Sequence, residues 1–140
     1  MNTAVDTNVI VALWDPDAAL SSAVQFALDT ASEAGGIIVS APVFAELLAA
    51  PFRDEQFVNR FIADTGLILE WEMSEQVWRT AGRAYQLLAA RRRRQRETEP
   101  RRILADFLIG AHAAENGYRL LTLDARFYRL AFPKLNIIAI

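Results

Sequence analysis

Short apolar runs alternate with longer segments in which apolar residues recur at helical spacing. Thr3 to Val5 and Ile37 to Val39 are typical of short, buried strands, and Leu67 to Trp71 is a third candidate. Arg119 to Leu123 and Leu135 to Ile140 are the last two. Because helical segments separate these runs, the pattern predicts an α/β fold in one domain of 140 residues, with a parallel sheet covered on both faces.

The helical segments begin and end at residues with known preferences for helix ends. Asp15-Pro16-Asp17 separates the first two, Gly35-Gly36 ends the second, and Gly117 ends the last. Ser40 and Ser74 are expected N-caps. The expected helices cover Thr7 to Trp14, the segment from there to about Ala34, Pro42 to about Ala50, Arg53 to Asp64, Glu75 into the arginine run, and Ile103 to Asn116.

Two acidic residues directly follow predicted strands. Asp6 comes after the first strand, and Asp124 comes after the strand that ends at Leu123. Ligands of parallel α/β sheets bind at the carboxyl ends of the strands, near a topological switch point. We therefore expect Asp6 and Asp124 on one rim of the sheet.

Four carboxylates, Asp6, Glu46, Asp106 and Asp124, stand in apolar surroundings. An ionised carboxylate near a core is costly unless it is paired, and no Lys or Arg is close to Asp6 or Glu46 in sequence. A shared divalent cation would compensate all four. Oxygen ligands of this kind suit Mg²⁺ or Mn²⁺.

Three of the four carboxylates also have a purely structural interpretation. Asp6 could be the N-cap of the following helix, Asp106 could favour the helix dipole, and Asp124 could form an Asx turn. Glu46 lies in mid-helix and caps nothing. It is the joint occurrence of the four residues that favours a metal site.

Other residues of possible chemical interest leave alternatives open. Gly110 and Ala113 give the Asp106 helix a flat face, which could admit a ligand or another backbone, or pack closely on the sheet. His112 is expected to be a packing or surface residue rather than a ligand. The three tryptophans are expected in the core or in a dimer interface: Trp14, Trp71 and Trp78.

The net charge of −2 conceals a strong asymmetry, because seven of the 15 basic residues fall between Arg91 and Arg102. After the negative charges of Glu97 and Glu99 are subtracted, that segment has a net charge of +5, and the rest of the chain has a net charge of −7. The arginines are expected to line an RNA path, with a solvated helix end as the alternative. They are Arg91, Arg92, Arg93, Arg94, Arg96, Arg101 and Arg102.

Composition excludes several classes of protein. The chain has no cysteine, so it has neither disulfides nor thiolate sites. Its longest uninterrupted apolar run, Val9 to Trp14, is far shorter than the roughly 18 residues of a membrane span. We expect a cytoplasmic protein without a membrane partner.

In their order along the chain, the acidic residues resemble those of the PIN-domain ribonucleases, especially the VapC-type toxins of prokaryotic toxin–antitoxin pairs. The resemblance covers essentially the whole chain, although the arginine run is denser than usual. Its motifs are Val5-Asp6-Thr7-Asn8-Val9-Ile10, Ala45-Glu46-Leu47, Asp106-Phe107-Leu108-Ile109-Gly110-Ala111-His112-Ala113, and Leu121-Thr122-Leu123-Asp124 with Phe127.

The resemblance implies a three-layer α/β/α sandwich and an endoribonuclease that depends on Mg²⁺ or Mn²⁺. It also implies a homodimer and a neutralising antitoxin. Asp6, Glu46 and Asp106 would hold the principal ion, Asp124 would complete the site, and Asn8 and Thr122 would be auxiliary polar groups.

Competing mechanisms find less support in the sequence. One histidine excludes a two-histidine ribonuclease, and neither a phosphate-binding P-loop nor a G-x-S-x-G nucleophile occurs. A metal-dependent DNA nuclease or phosphatase stays open, although Asp6-Thr7-Asn8 lacks the D-x-D pattern of haloacid-dehalogenase phosphatases. A non-catalytic RNA-binding module of the same fold is the other alternative.

Overall fold

A computed structural model describes residues 1–95 and 104–140, with no side-chain description for residue 95. In this part of the chain there are five strands and seven helices. The strands are β1 (Thr3–Val5), β2 (Ile37–Ser40), β3 (Ile68–Glu70), β4 (Arg119–Thr122) and β5 (Ile137–Ala139). The helices are α1 (Thr7–Leu13), α2 (Ala18–Ser32), α3 (Ala41–Leu47), α4 (Glu55–Thr65), α5 (Glu75–Gln95), α6 (Leu104–Glu115) and α7 (Ala125–Ala131).

The five strands form one parallel sheet in the order β3-β2-β1-β4-β5. Thr3 of the central strand is in register with Ile37 on one side and Arg119 on the other. Every residue of β1 and β2 is buried, because helices cover both faces of the sheet. The α/β fold predicted from the sequence is confirmed, and the architecture is a three-layer α/β/α sandwich.

Helix boundaries follow local capping chemistry in most places. The Asp17 side chain accepts hydrogen bonds from the N–H groups of Ala19 and Leu20, and the Ser74 hydroxyl accepts one from Val77. These bonds satisfy N–H groups that have no partner in the first turn of a helix. Gly117 adopts a left-handed φ of 70° after α6, as the sequence predicts.

Three details differ from the sequence-based prediction. The third helix ends at Leu47 instead of continuing to about Ala50. Ser40 occupies the N-cap position of α3, but its hydroxyl makes no capping bond there. The final strand covers only Ile137–Ala139 of the apolar run, because its pairing with β4 begins at Leu120 and ends at Thr122.

The helix α7 was missed by the sequence analysis, which assigned no element between Asp124 and the last strand. Its seven residues are too few to show a helical period, and its buried face consists of the adjacent pair Phe127 and Tyr128. A loop expected at Pro100 and the predicted helix start at Ile103 lie outside the described residues.

None of the described helices is long and apolar enough to cross a membrane. The cytoplasmic location stays a prediction.

Candidate metal centre

The chain adds strands first on one side of the central strand β1 and then on the other. The chain adds β2 and β3 on one side of β1, then crosses to the other side to add β4 and β5. This reversal between β1 and β4 is the topological switch point at which ligands of such sheets bind. Asp6 follows β1, and its N–H donates a 3.0 Å hydrogen bond to the carbonyl of Leu121 in β4.

Asp6 is a nearly buried carboxylate, with 4% of its surface exposed. Its Oδ1 accepts a 2.8 Å hydrogen bond from the N–H of Thr7, and its Oδ2 accepts one of 2.8 Å from the hydroxyl of Thr122. Asp6 is therefore the N-cap of α1, as the structural alternative expected, but the cap occupies only one carboxylate oxygen.

Burial raises the pKa of Asp6, and the nearby charge of Glu46 adds to this effect. The hydrogen bonds from Thr122 and Thr7, and to a smaller extent the nearby hydroxyl of Tyr128, oppose the rise in pKa but do not reverse it. Asp6 is thus a carboxyl group at a position where its ionised form is poorly solvated. Such a group is a candidate for function, because burial of this kind is costly to stability alone.

Glu46 on α3 is brought to Asp6 through Thr7. The Thr7 hydroxyl donates a 2.5 Å hydrogen bond to Oε1 of Glu46, while the Thr7 N–H donates to Asp6. Two carboxylates from separate elements are therefore joined by one residue. Thr7 was missed by the sequence analysis, and its position directly after Asp6 was the available signal.

Thr122, Asn8 and Asp124 meet where β4 turns into α7. The Thr122 hydroxyl donates to Asp6 and accepts a 2.9 Å hydrogen bond from the N–H of Asp124. Oδ1 of Asn8 accepts a 3.2 Å hydrogen bond from the N–H of Leu123. Asp124 occupies the N-cap position of α7 without a capping bond from its side chain. Asn8 and Thr122 thus hold the turn that carries Asp124.

Asp106 lies in the first turn of α6, as predicted, and approaches the same region through Tyr128. Tyr128 of α7 is fully buried. Its burial, then the negative charges of Asp6 and Asp106, and to a smaller extent that of Glu46, raise the pKa of its hydroxyl. Tyr128 therefore lies within electrostatic reach of three of the four candidate carboxylates, and the sequence analysis missed it.

The residues at the switch point fit a hard divalent cation in their chemistry. Asp6 and Glu46 supply carboxylate oxygens, and within residues 1–95 and 104–140 neither forms an ion pair with Lys or Arg. In the same ranges, no three acidic or histidine side chains are already arranged to hold a metal ion. The assignment of the four carboxylates as metal ligands stays a prediction.

The predicted RNA-binding arginines are described in part. Arg91 and Arg92 are half-buried and Arg93 and Arg94 exposed, all in the C-terminal part of α5. Three others lie outside the described residues: Arg96, Arg101 and Arg102. Their role in RNA binding stays a prediction.

His112 was expected to be either a packing residue or a surface residue, and the structure places it in the interior. It is 1% exposed, and its Nε2 lies 3.0 Å from Oε1 of Glu70 at the end of β3. The Tyr118 hydroxyl donates a 2.8 Å hydrogen bond to the other oxygen of Glu70. Burial lowers the pKa of His112, although Glu70 opposes this. His112 is a packing residue in a polar network.

The tryptophans divide into two groups. Trp14 packs edge-on against Phe57 and Phe61, which agrees with a core position. Trp71 and Trp78 are 59% and 50% exposed, so the expectation of a core position is wrong for both. Their place in a dimer interface stays a prediction.

The flat face of α6 at Gly110 is used for close packing. A Cβ added at Gly110 would lie 2.2 Å from Cε2 of Phe132, far inside van der Waals contact. The glycine therefore makes room for an aromatic ring that follows α7. Close packing is the correct alternative here, although the partner is Phe132 rather than the sheet.

These observations define a parallel α/β sandwich with carboxylates collected at its switch point. The PIN domain model matches residues 3–133, so the chain belongs to the PIN domain family, as its motifs predicted. No curated protein matches the chain.

Solved structures share this fold at low sequence identity. VapBC2 from Rickettsia felis, bound to a DNA fragment from its promoter, has 19% identity and a TM-score of 0.64, over 99% of this chain and 98% of that one. VapBC-1 from nontypeable Haemophilus influenzae has 18% identity and a TM-score of 0.67, over 99% and 98%. FitAcB from Neisseria gonorrhoeae has 19% identity and a TM-score of 0.60, over 97% and 96%.

Proposed function

We propose that this protein is a metal-dependent endoribonuclease and the toxin component of a type II toxin–antitoxin pair. The observation that carries the proposal is the linkage of Asp6 to Glu46 through Thr7 and to the Asp124 turn through Thr122. It collects acidic side chains at the switch point of a PIN domain. The whole-length likeness to VapBC and FitAcB structures supports the biological context.

In this proposal Asp6, Glu46, Asp106 and Asp124 hold Mg²⁺ or Mn²⁺, directly or through water. The bound ion would activate a water molecule for attack on the phosphodiester and neutralise charge on the phosphate. The protein's own part is to fix the carboxylates before substrate arrives. Residues outside the ligand set do this by hydrogen bonds: Thr7, Asn8 and Thr122.

Arginines at the end of α5 are the proposed contact with the RNA backbone. Arg93 and Arg94 are exposed in the last turn of that helix, where solvent and a phosphate can both reach them. Phosphate contacts add affinity without sequence preference.

The assay is cleavage of RNA by the purified protein with Mg²⁺ or Mn²⁺, with and without EDTA. Asp6→Asn and Glu46→Gln should abolish cleavage, whereas the exposed control Glu72→Gln should retain it. Full activity of Asp6→Asn would exclude the assignment. Cleavage of DNA or small phosphate esters in place of RNA would favour the alternative metal-dependent nuclease or phosphatase, and binding without cleavage would favour an RNA-binding module.

A homodimer and a cognate antitoxin are the proposed protein partners. The exposed Trp71 and Trp78 provide apolar area for such an interface. The mass of the purified protein in solution tests the dimer. Relief of growth arrest by a short open reading frame next to the gene tests the antitoxin, and growth arrest that no neighbouring frame relieves would contradict it.

A further inference from the structure

The hydroxyl group of Tyr128 is buried beside Asp6 without a well-aligned hydrogen bond to any of the described residues. Tyr128 has no exposed surface, and its oxygen makes no hydrogen bond of good geometry within residues 1–95 and 104–140, although it lies close enough to Asp6 to lower the pKa of that carboxyl group. A buried hydroxyl without a partner destabilises the fold relative to phenylalanine, which would fill the same space. A tyrosine is therefore unfavourable here unless the hydroxyl acquires a partner when the protein works.

Aromatic packing fixes the position of this hydroxyl. The Tyr128 ring meets Phe127 edge-on at 4.9 Å between centroids and stacks on Phe132 at 6.5 Å. Phe132 in turn lies directly against Gly110 of α6, where there is no room for a side chain. The ring is held from two sides, so the hydroxyl cannot turn out to solvent.

The group beside the Tyr128 hydroxyl is the Asp6 carboxylate. Asp6 already accepts one hydrogen bond on each oxygen, from Thr7 and Thr122. An ionised carboxylate has about four lone-pair positions, which leaves places for a further donor and for a cation. A phenol donates a hydrogen bond but carries no positive charge. It therefore does not neutralise the Asp6 carboxylate in place of a metal ion, as a lysine would.

We propose that Tyr128 is a positioning residue for the metal site, whose hydroxyl donates a hydrogen bond to Asp6 when a divalent cation binds. The inference rests on the proposed function, in that it takes Asp6 as a metal ligand. The bond would hold Asp6 in the orientation that the cation requires. Hydrogen bonds to metal ligands typically change metal affinity by about 10- to 100-fold.

The test compares Mn²⁺ affinity, measured by electron paramagnetic resonance, in wild type, Tyr128→Phe and Tyr118→Phe. Tyr118 is the matched control, because its hydroxyl bonds to Glu70. We expect Tyr128→Phe to bind Mn²⁺ about tenfold more weakly. We expect Tyr118→Phe to bind as wild type. Without metal, Tyr128→Phe should unfold at the same temperature as wild type or higher, since it loses only a buried hydroxyl that has no well-aligned hydrogen bond.

Each other outcome overturns the inference. Equal Mn²⁺ affinity of wild type and Tyr128→Phe would refute the role of Tyr128 and leave the proposed metal site intact. A lower unfolding temperature of metal-free Tyr128→Phe would show that the hydroxyl has a structural role instead. If wild type binds no Mn²⁺, both the metal dependence in the proposed function and this inference are wrong.

Discussion

The hydroxyl of Thr7 donates a 2.5 Å hydrogen bond to the carboxylate of Glu46, which lies 39 residues further along the chain. The N–H of the same threonine donates to Asp6. One residue in the first turn of α1 therefore determines how far apart two acidic side chains can be.

Thr7→Val should separate Glu46 from Asp6 while the helix is retained. Valine keeps the shape and the N–H but removes the hydroxyl, so we expect Mn²⁺ affinity and RNA cleavage to fall by about 10- to 100-fold. Thr7→Ser keeps the hydroxyl and is the control, with near wild-type values. Equal losses in both variants would show that the methyl group matters rather than the bond to Glu46.

Asp6→Asn should stabilise the metal-free protein while abolishing cleavage. The folded-state pKa of Asp6 is raised by burial, so its contribution to stability is fully present below the unfolded value of 3.8 and is lost as pH rises through the folded pKa. At neutral pH the variant should unfold roughly 2 to 6 °C higher in EDTA. The difference in unfolding temperature between Asp6→Asn and wild type should become smaller as pH is lowered. Mg²⁺ should raise the unfolding temperature of wild type but not that of the variant. A lower unfolding temperature of the variant in EDTA would contradict this.

Replacing Arg91, Arg93 and Arg94 together with glutamine should weaken RNA binding. The logarithm of affinity should also depend less steeply on that of salt concentration, with the slope reduced by about one for each phosphate that the variant no longer binds. The matched control replaces three exposed arginines elsewhere, Arg60, Arg79 and Arg83. Fluorescence anisotropy over a salt series measures both. The same slope in the two triple variants would place the RNA path away from the end of α5.

Gly110→Ala and Gly82→Ala should change stability in opposite directions. At Gly110 the new Cβ would lie 2.2 Å from Phe132, so we expect a loss of about 1–3 kcal/mol. Gly82 of α5 has open space at this position, so alanine should add about 0.5–1 kcal/mol through helix propensity. Urea unfolding gives both values, and a neutral Gly110→Ala would show that Phe132 can move aside.

His112 should make the fold less stable in mild acid. Burial lowers its folded-state pKa below the ordinary value of 6.5, despite the opposing effect of Glu70. Below 6.5 the unfolded chain therefore binds a proton that the fold does not, and stability is lost until pH reaches the folded pKa. Unfolding of wild type and His112→Gln between about pH 7.5 and 5.5 tests this. The variant should show the flatter dependence, and parallel curves would assign the acid sensitivity to other groups.

The sequence by itself determined the class of fold. Runs such as Ile37 to Val39 are short, β-branched and apolar at every position, which is typical of a strand covered on both faces. Asp6 and Asp124 could be placed on one rim because the carboxyl ends of parallel strands share an edge. Chain-local rules of this kind also located most helix ends, including the break at Asp15-Pro16-Asp17 and the cap at Ser74.

Short and non-local features could not be obtained in the same way. The helix α7 has seven residues and buries an adjacent pair, so it shows no helical period. With α7 unassigned, Tyr128 had no place in the site. His112 could not be paired with Glu70, because nothing local relates residues 42 positions apart.

What the sequence decided about this protein was which residues carry an unfavourable charge among apolar neighbours, since that follows from composition around each position. Only the tertiary structure decided which of them meet, because a hydrogen bond such as that between Thr122 and Asp6 joins residues 116 positions apart through the order of strands in the sheet. The free-energy cost of burying a charge can be anticipated from the neighbours of that residue in sequence. The hydrogen bonds that offset this cost depend on the path of the whole chain.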